Sequence, residues 1–291
     1  MNELQTILAE TCTRLFTDHV PTAVLEAAEK GEWPAALWQA LEENGLTLPQ
    51  VPEVRGGAGG SWNDAFVVLM AAGRFATPVP LAETMLAGAI LAETGLDVPL
   101  GPMTVAPVHL DEGLILARQG GSFTLSGRAT RVPWGARAEH VVVVADGGGT
   151  PMVALVAGGG AKAEADANLA REPRDTLTWA GVPVVAAVPL RGRLGAQPVW
   201  AGGALVRSAQ MAGGLEFLLA QSVMYVTERK QFGRPLAAFQ AIQHNLALLA
   251  GHTAAAGMAA QQAFHVVERT GEGGDASFEV AVAKVRTGEA A

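Results

Sequence analysis

With 291 residues the chain is long enough for two or three domains, and its single cysteine, Cys12, allows no internal disulfide, which suits a reducing compartment. A formal net charge of -8 argues against nucleic acid or an anionic membrane as the main partner, while 49% hydrophobic residues supply ample cores. No apolar run reaches the length of a membrane span, and Met1-Asn2-Glu3 lacks the basic start of a signal peptide, so the sequence reads as cytoplasmic.

Helical periodicity runs from residue 4 to about residue 94. Leu4, Ile7, Leu8, Thr11 and Leu15 form one apolar stripe, Ala36, Leu37, Ala40 and Leu41 a second, and residues 64–75 a segment apolar nearly all round and therefore expected inside. Asn44-Gly45 is a helix stop, and residues 49–60 are a glycine-rich loop. From about residue 103 to 190 the texture changes to short β-branched runs between Gly and Pro clusters, among them Thr104-Val105-Ala106, Leu114-Ile115-Leu116-Ala117, Phe123-Thr124-Leu125 and residues 140–145, 152–157 and 182–188. After Gly195-Ala196-Gln197-Pro198 the helical pattern resumes. The predicted organisation is α+β: an N-terminal helical domain over 1–100, a middle antiparallel β domain over 101–197 and a C-terminal helical bundle over 198–291. The helical pattern still holds at Ala291 without a strong stop, which predicts a truncated bundle.

Several chemistries are excluded by pattern. The glycine runs contain neither Gly-x-Gly-x-x-Gly opening a helix nor Gly-Lys-Ser/Thr, so Rossmann and P-loop sites are not expected. The six histidines have no His-Glu-x-x-His or cysteine partners, and His244 and His252 lie too far apart on one helix to share a metal, so no metal site is expected. Ser61 and Ser208 lie in no nucleophile elbow, and Trp33, Trp38 and Trp62 read as core or loop anchors.

The most informative stretch is Glu228-Arg229-Lys230-Gln231-Phe232-Gly233-Arg234-Pro235-Leu236, followed by Phe239-Gln240. It interrupts two long helical patterns, one with Leu215, Leu218, Leu219, Val223 and Val226 on a stripe expected to be buried, the other with Phe239, Ile242, Leu246 and Leu249. Arg229 offers a planar fork of donors suited to a pyrophosphate, Phe232 an apolar face for a flat ring, and Gln240 both donor and acceptor. By residue type alone, Arg229 could equally cap a helix C-terminus and Phe232 plug a bundle.

In its Arg-x-Gln-Phe-Gly-x-Pro order the stretch resembles the C-terminal-domain motif of the acyl-CoA dehydrogenases, flavoenzymes that introduce a double bond between Cα and Cβ of an acyl-CoA. Val51-Pro52-Glu53-Val54-Arg55-Gly56-Gly57-Ala58-Gly59-Gly60 is similar to a Pro-Glu-x-x-Gly-Gly-x-Gly loop of that family. Residues 73–84 look like the segment that follows in one bacterial branch. Leu125-Ser126-Gly127-Arg128-Ala129-Thr130-Arg131-Val132-Pro133-Trp134 stands where the family has Leu-Asn-Gly-x-Lys-x-Trp-Ile-Thr. The resemblance implies FAD as cofactor, an acyl-CoA substrate, an electron-transfer flavoprotein as electron acceptor, and a homo- or hetero-oligomer built through the C-terminal domain. It further implies that Arg229, Gln231, Phe232 and Gln240 reach across a subunit interface to the FAD of the neighbour, and that Trp134 touches the flavin.

Two family features are altered. One family position for the catalytic glutamate falls within residues 199–207, which hold no carboxylate. Glu216, the first acid on that helix, reads as solvated or salt-bridged. The Thr-Glu-x-x-x-Gly-Ser-Asp run of the β domain is absent from residues 102–112. No catalytic base is assigned from the sequence. This combination resembles the degenerate partner subunits of bacterial heteromeric acyl-CoA dehydrogenases, several of which act in lipid or steroid catabolism. The alternatives are an ordinary homotetramer whose base lies beyond Ala291 and a non-catalytic assembly protein of the same fold that has lost flavin.

Overall fold

The computed structural model describes residues 2–109, 112–271 and 274–291. The N-terminal region forms α1 (Glu3–His19), α2 (Thr22–Glu29), α3 (Ala35–Glu43), α4 (Trp62–Arg74) and α5 (Leu81–Thr94). Capping boxes start α1 and α4: Asn2 with Gln5, and Ser61 with Asp64, satisfy otherwise orphaned amide groups at each helix start. The Asn44-Gly45 stop is borne out, with Asn44 as C-cap of α3 and Gly45 at a φ of +66°. The α1 stripe is buried only from its second half, at Cys12, Leu15 and Phe16; Leu4 and Ile7 remain exposed.

Among the described residues eight strands make one sheet: β1 (Met103–Val105), β2 (Leu114–Gln119), β3 (Ser122–Pro133), β4 (His140–Asp146), β5 (Pro151–Ala157), β6 (Lys162–Glu164), β7 (Arg174–Pro183) and β8 (Ala186–Pro189), seven of them in the order β6-β7-β3-β2-β4-β5-β8, with β1 paired to β4 off that path. Pairing is antiparallel except along one edge of β4, which meets β1 and the start of β2 in parallel. Strand β3 runs well past the Phe123-Thr124-Leu125 core of its sequence signal. The polar stretch from Ser126 to Pro133 is held by pairing with β7, and the register slips between Ala129 and Val132, where Arg131 takes a φ of +55°. Strand β7 begins at Arg174-Asp175, charged residues that gave no strand signal. Asp175 is buried there because its carboxylate accepts the Ala136 N–H at 2.8 Å.

Alternation along β4 and β5 divides two cores. Val142, Val153 and Leu155 face a core shared with the helices, whereas Val141, Val143 and Val156 join Leu125, Leu177 and Trp179 in a second cluster inside the curled sheet. The helical core takes in residues of α1, α3, α4 and α5 together with those of the C-terminal helices α6 (Pro198–Glu228), α7 (Gln240–Arg269) and α8 (Ser277–Ala290). Helices α4 and α6 cross at backbone contact: a Cβ on Gly73 would lie 1.9 Å from the Gln210 carbonyl oxygen, and one on Gly213 1.9 Å from that of Met70. Glu268 of α7 accepts the Trp62 N–H at 2.7 Å, and Arg193 pairs with Glu93 at 2.7 Å while donating to the Val267 and Glu268 carbonyls, so the crossover into α6 is fastened to both helical layers.

Cys12 has no exposure, and burial pushes its thiol pKa up to about 12. The native protein is therefore expected to give no reaction with an aromatic disulfide reagent at pH 8, and one equivalent of thiol after denaturation. Fast labelling under native conditions would contradict the burial.

Candidate functional site

The interruption between α6 and α7 is a β-hairpin, β9 (Lys230–Gln231) paired with β10 (Arg234–Pro235), closed by the Leu236 N–H donating to the Arg229 carbonyl at 2.8 Å. Its two-residue loop is Phe232-Gly233, with φ of +53° and +81°, the left-handed values that a type I′ turn needs at both positions. Glycine tolerates this without cost; phenylalanine does so only under strain, of order 1–3 kcal/mol. The turn presents the Phe232 ring 90% exposed. The ring edge meets Phe239 at 6.2 Å, and Arg234 stacks over Phe239 at 4.1 Å. Arg229, the C-cap of α6, is exposed, and among the described residues its guanidinium has no hydrogen bond or ion pair. Gln231 and Gln240 are exposed as well. Gln240 opens α7, whose N-terminus has no side-chain cap, leaving amide donors and the positive end of a thirty-residue helix beside the hairpin. Thus the four residues singled out in the sequence are all exposed, at or next to the hairpin.

The helical stripes leading into that hairpin correct the expectation of burial. Leu215 is buried, but Leu218 is 52% exposed, Val223 is also exposed, and Phe239, Ile242, Leu246 and Leu249 are half-buried. Phe217, Met224, Tyr225 and Leu248 on the same two helices are exposed as well. Exposed apolar side chains therefore lie along the distal part of α6 and the start of α7. Glu216 is exposed and joins no ion pair among the described residues, in keeping with a solvated role.

Trp134 sits in a second place, a cleft of about 890 Å³ between the sheet and the helices. The bulge in β3 leads into it at a φ of +56°; its ring is buried and meets Trp33 edge-on at 6.3 Å, and its Nε1 has no partner among the described residues. One rim is the loop 168–172, wound around Asn168, whose Oδ1 accepts the Ala170 and Glu172 N–H groups at 3.0 Å each. Across the cleft runs an ion network. Arg207 of α6 donates to Glu83 of α5, to Glu172 Oε1 at 3.0 Å and to Gln210 at 2.7 Å, while Glu172 Oε2 accepts from Arg174 at 2.5 Å. Burial, reinforced by the neighbouring Glu172 charge, holds the Glu83 carboxyl above its usual range despite Arg207. Glu172, between two guanidinium groups, is held below it. The sequence reading missed this network, since its members come from four separate elements. None of the hairpin residues lines the cleft.

Comparison with known proteins agrees with the fold. The model of the acyl-CoA dehydrogenase N-terminal domain matches residues 2–97, and that of the C-terminal domain residues 199–291. The acyl-CoA dehydrogenase IpdE2 of Mycobacterium tuberculosis is 30% identical over 267 residues, covering 90% of this chain and 76% of the relative. Among solved structures, the ChsE4–ChsE5 complex from Mycobacterium tuberculosis superposes with a TM-score of 0.87 at 26% identity, over 100% of this chain and 84% of the other. A variant of the Tcur3481–Tcur3483 steroid ACAD gives 0.84 at 28% identity, over 99% and 86%. The chain belongs to the acyl-CoA dehydrogenase family, flavoprotein oxidoreductases acting on CH–CH bonds. No helix among the described residues is long and apolar enough to cross a membrane.

Proposed function

We propose that this chain is the partner subunit of an FAD-dependent acyl-CoA dehydrogenase, completing with its hairpin a flavin site whose remainder lies on a second subunit. The observation that carries the reading is the Phe232 ring, held in a strained turn and 90% exposed beside an unpaired Arg229. Strain of this kind persists where a ligand contact uses the residue. The outward surface fits the group: Arg229 and the uncapped α7 N-terminus would hold a pyrophosphate, Phe232 would cover an apolar ring, and Gln231 and Gln240 would supply polar contacts. Trp134, in the cleft beside the sheet, is assigned a further flavin contact. When bound, FAD supplies the acceptor for the hydride leaving Cβ. The chain's own task is to bind and orient.

The exposed apolar surface of α6 and α7 is assigned to the second subunit, with electron-transfer flavoprotein as acceptor of the electrons and a cytoplasmic location. Relatives described as the ChsE4–ChsE5 complex and as a steroid ACAD favour a heteromer and a lipid- or steroid-derived acyl-CoA. The three-part division at residues 100 and 197 is retained as the domain scheme, the N- and C-terminal parts sharing one core.

Removing a desolvated charge partner costs about 2–5 kcal/mol of binding. Arg229→Ala in the purified assembly is therefore expected to lose its flavin on gel filtration, while helical circular dichroism and subunit composition persist. Stoichiometric flavin retained by the variant would refute the reading.

A further inference from the structure

We infer that Phe239 and Arg234 are positioning residues for the hairpin: acting through the Phe232 ring and not on the cofactor itself, they hold that ring in the orientation a flat ligand needs. The inference rests on the reading of the hairpin given above and goes beyond it by naming what keeps Phe232 in place.

The need for support follows from the backbone and the exposure. Phe232 stands at a φ of +53° with its side chain 90% exposed, so burial does not fix it. A left-handed phenylalanine persists only where its surroundings over-determine it. Hairpin bonds do part of this: Gln231 pairs with Arg234, Lys230 with Pro235, and the Leu236 N–H donates to the Arg229 carbonyl at 2.8 Å. These bonds set the turn. They leave the ring free to change rotamer, because its own torsions lie outside the backbone.

Phe239 supplies the missing constraint. Among the described residues it is the aromatic partner of Phe232, with centroids 6.2 Å apart and ring planes at 80°, the T-shaped arrangement that aromatic pairs favour. Phe239 is itself fixed from two directions. Its N–H donates to the Leu236 carbonyl at 3.0 Å, its carbonyl accepts the Ile242 and Gln243 N–H groups at 3.0 and 3.1 Å, and the Gln243 side chain donates to the Ala237 carbonyl at 2.8 Å. The residue is thereby tied to the first turn of α7. On its ring lies the Arg234 guanidinium, 4.1 Å from the centroid. Arg234 joins no ion pair among the described residues, so the Phe239 face is the contact that orders it. A continuous path of contacts therefore runs from α7 through Phe239 to the exposed ring, with Arg234 closing it on the hairpin side.

The test is the affinity of the purified assembly for FAD, followed by the flavin fluorescence released on dilution. Phe239→Leu keeps an apolar side chain but no ring, and is expected to weaken FAD binding about three- to tenfold, with melting temperature and subunit composition unchanged. Phe239→Tyr keeps the ring and is expected to bind FAD as the parent does. Arg234→Met is expected to weaken binding about two- to fivefold. In a Phe232→Leu background neither change is expected to cost anything further, because both act through the ring at that position. Parental affinity in Phe239→Leu, weak binding by Phe239→Tyr, or full additivity of either change with Phe232→Leu would overturn the inference. Arg229→Ala is measured alongside. If it loses flavin while Phe239→Leu keeps it, the hairpin still holds the cofactor and only the positioning role falls; if both keep it, the hairpin assignment falls as well.

Discussion

Isolated, this polypeptide is expected to dehydrogenate acyl-CoA thioesters about 10²–10⁴-fold more slowly than when it is co-expressed with a subunit that supplies a base. Residues 199–207, at the start of α6, hold no carboxylate, and of the acids at the adjoining cleft Glu83 and Glu172 are ion-paired while Glu29 is exposed on α2. Glu83 is ion-paired to Arg207 and Glu172 is clamped between Arg174 and Arg207, so these two carboxylates are committed to cations instead of being free to take a proton from Cα. A general base must lie within hydrogen-bond reach of the proton it removes, and proton affinity is what two flanking guanidinium groups take from Glu172. The measurement is reduction of an artificial electron acceptor with straight-chain, branched and steroid-derived acyl-CoAs, comparing the isolated chain with the co-expressed pair. Robust turnover by the isolated chain would refute the partner-subunit reading.

Arg207→Ala is expected to be the most destabilising single substitution in the cleft, by about 3–5 kcal/mol, because it strands a carboxylate that is only 4% exposed. Glu83 cannot reach water, and Arg207 is its charge partner. The double variant Glu83→Gln, Arg207→Met is expected to recover part of the loss, since replacing both partners removes the uncompensated charge. The pH dependence has a definite sign. A carboxyl whose folded pKa is raised is favoured by folding when protonated, so its contribution is fully present below the ordinary value of 4.5 and is lost as pH rises through the folded value. Without Arg207 that folded value rises further. The deficit of Arg207→Ala against the parent should therefore be small in acid and grow toward neutrality in urea melts. Glu172 works in the opposite direction: its lowered pKa gives stability above 4.5 that is lost as pH falls. A deficit independent of pH would show that Arg207 contributes by packing alone.

The sequence by itself determined the order of helices, sheet and helices, the break between α6 and α7, and the identity of the residues at that break. These are local properties. Apolar spacing selects helix or strand, Asn44-Gly45 marks a helix end, and Gly233 with Pro235 breaks the helical pattern. Strand length was less legible: the second half of β3 and the start of β7 are polar, and they become strand only by pairing with each other. Tertiary structure alone decided which apolar stripes are buried. The spacing of Leu215, Leu218 and Val223 is the same whether the face meets its own core or another subunit, and the fold buries the first and leaves the last two exposed. It also decided the cleft. Glu83, Glu172, Arg174 and Arg207 are separated by up to 124 positions, and no periodicity connects them. They meet because the close α4–α6 crossing and the Asn168 loop bring α5, α6 and the sheet rim to one point, where low dielectric makes pairing obligatory.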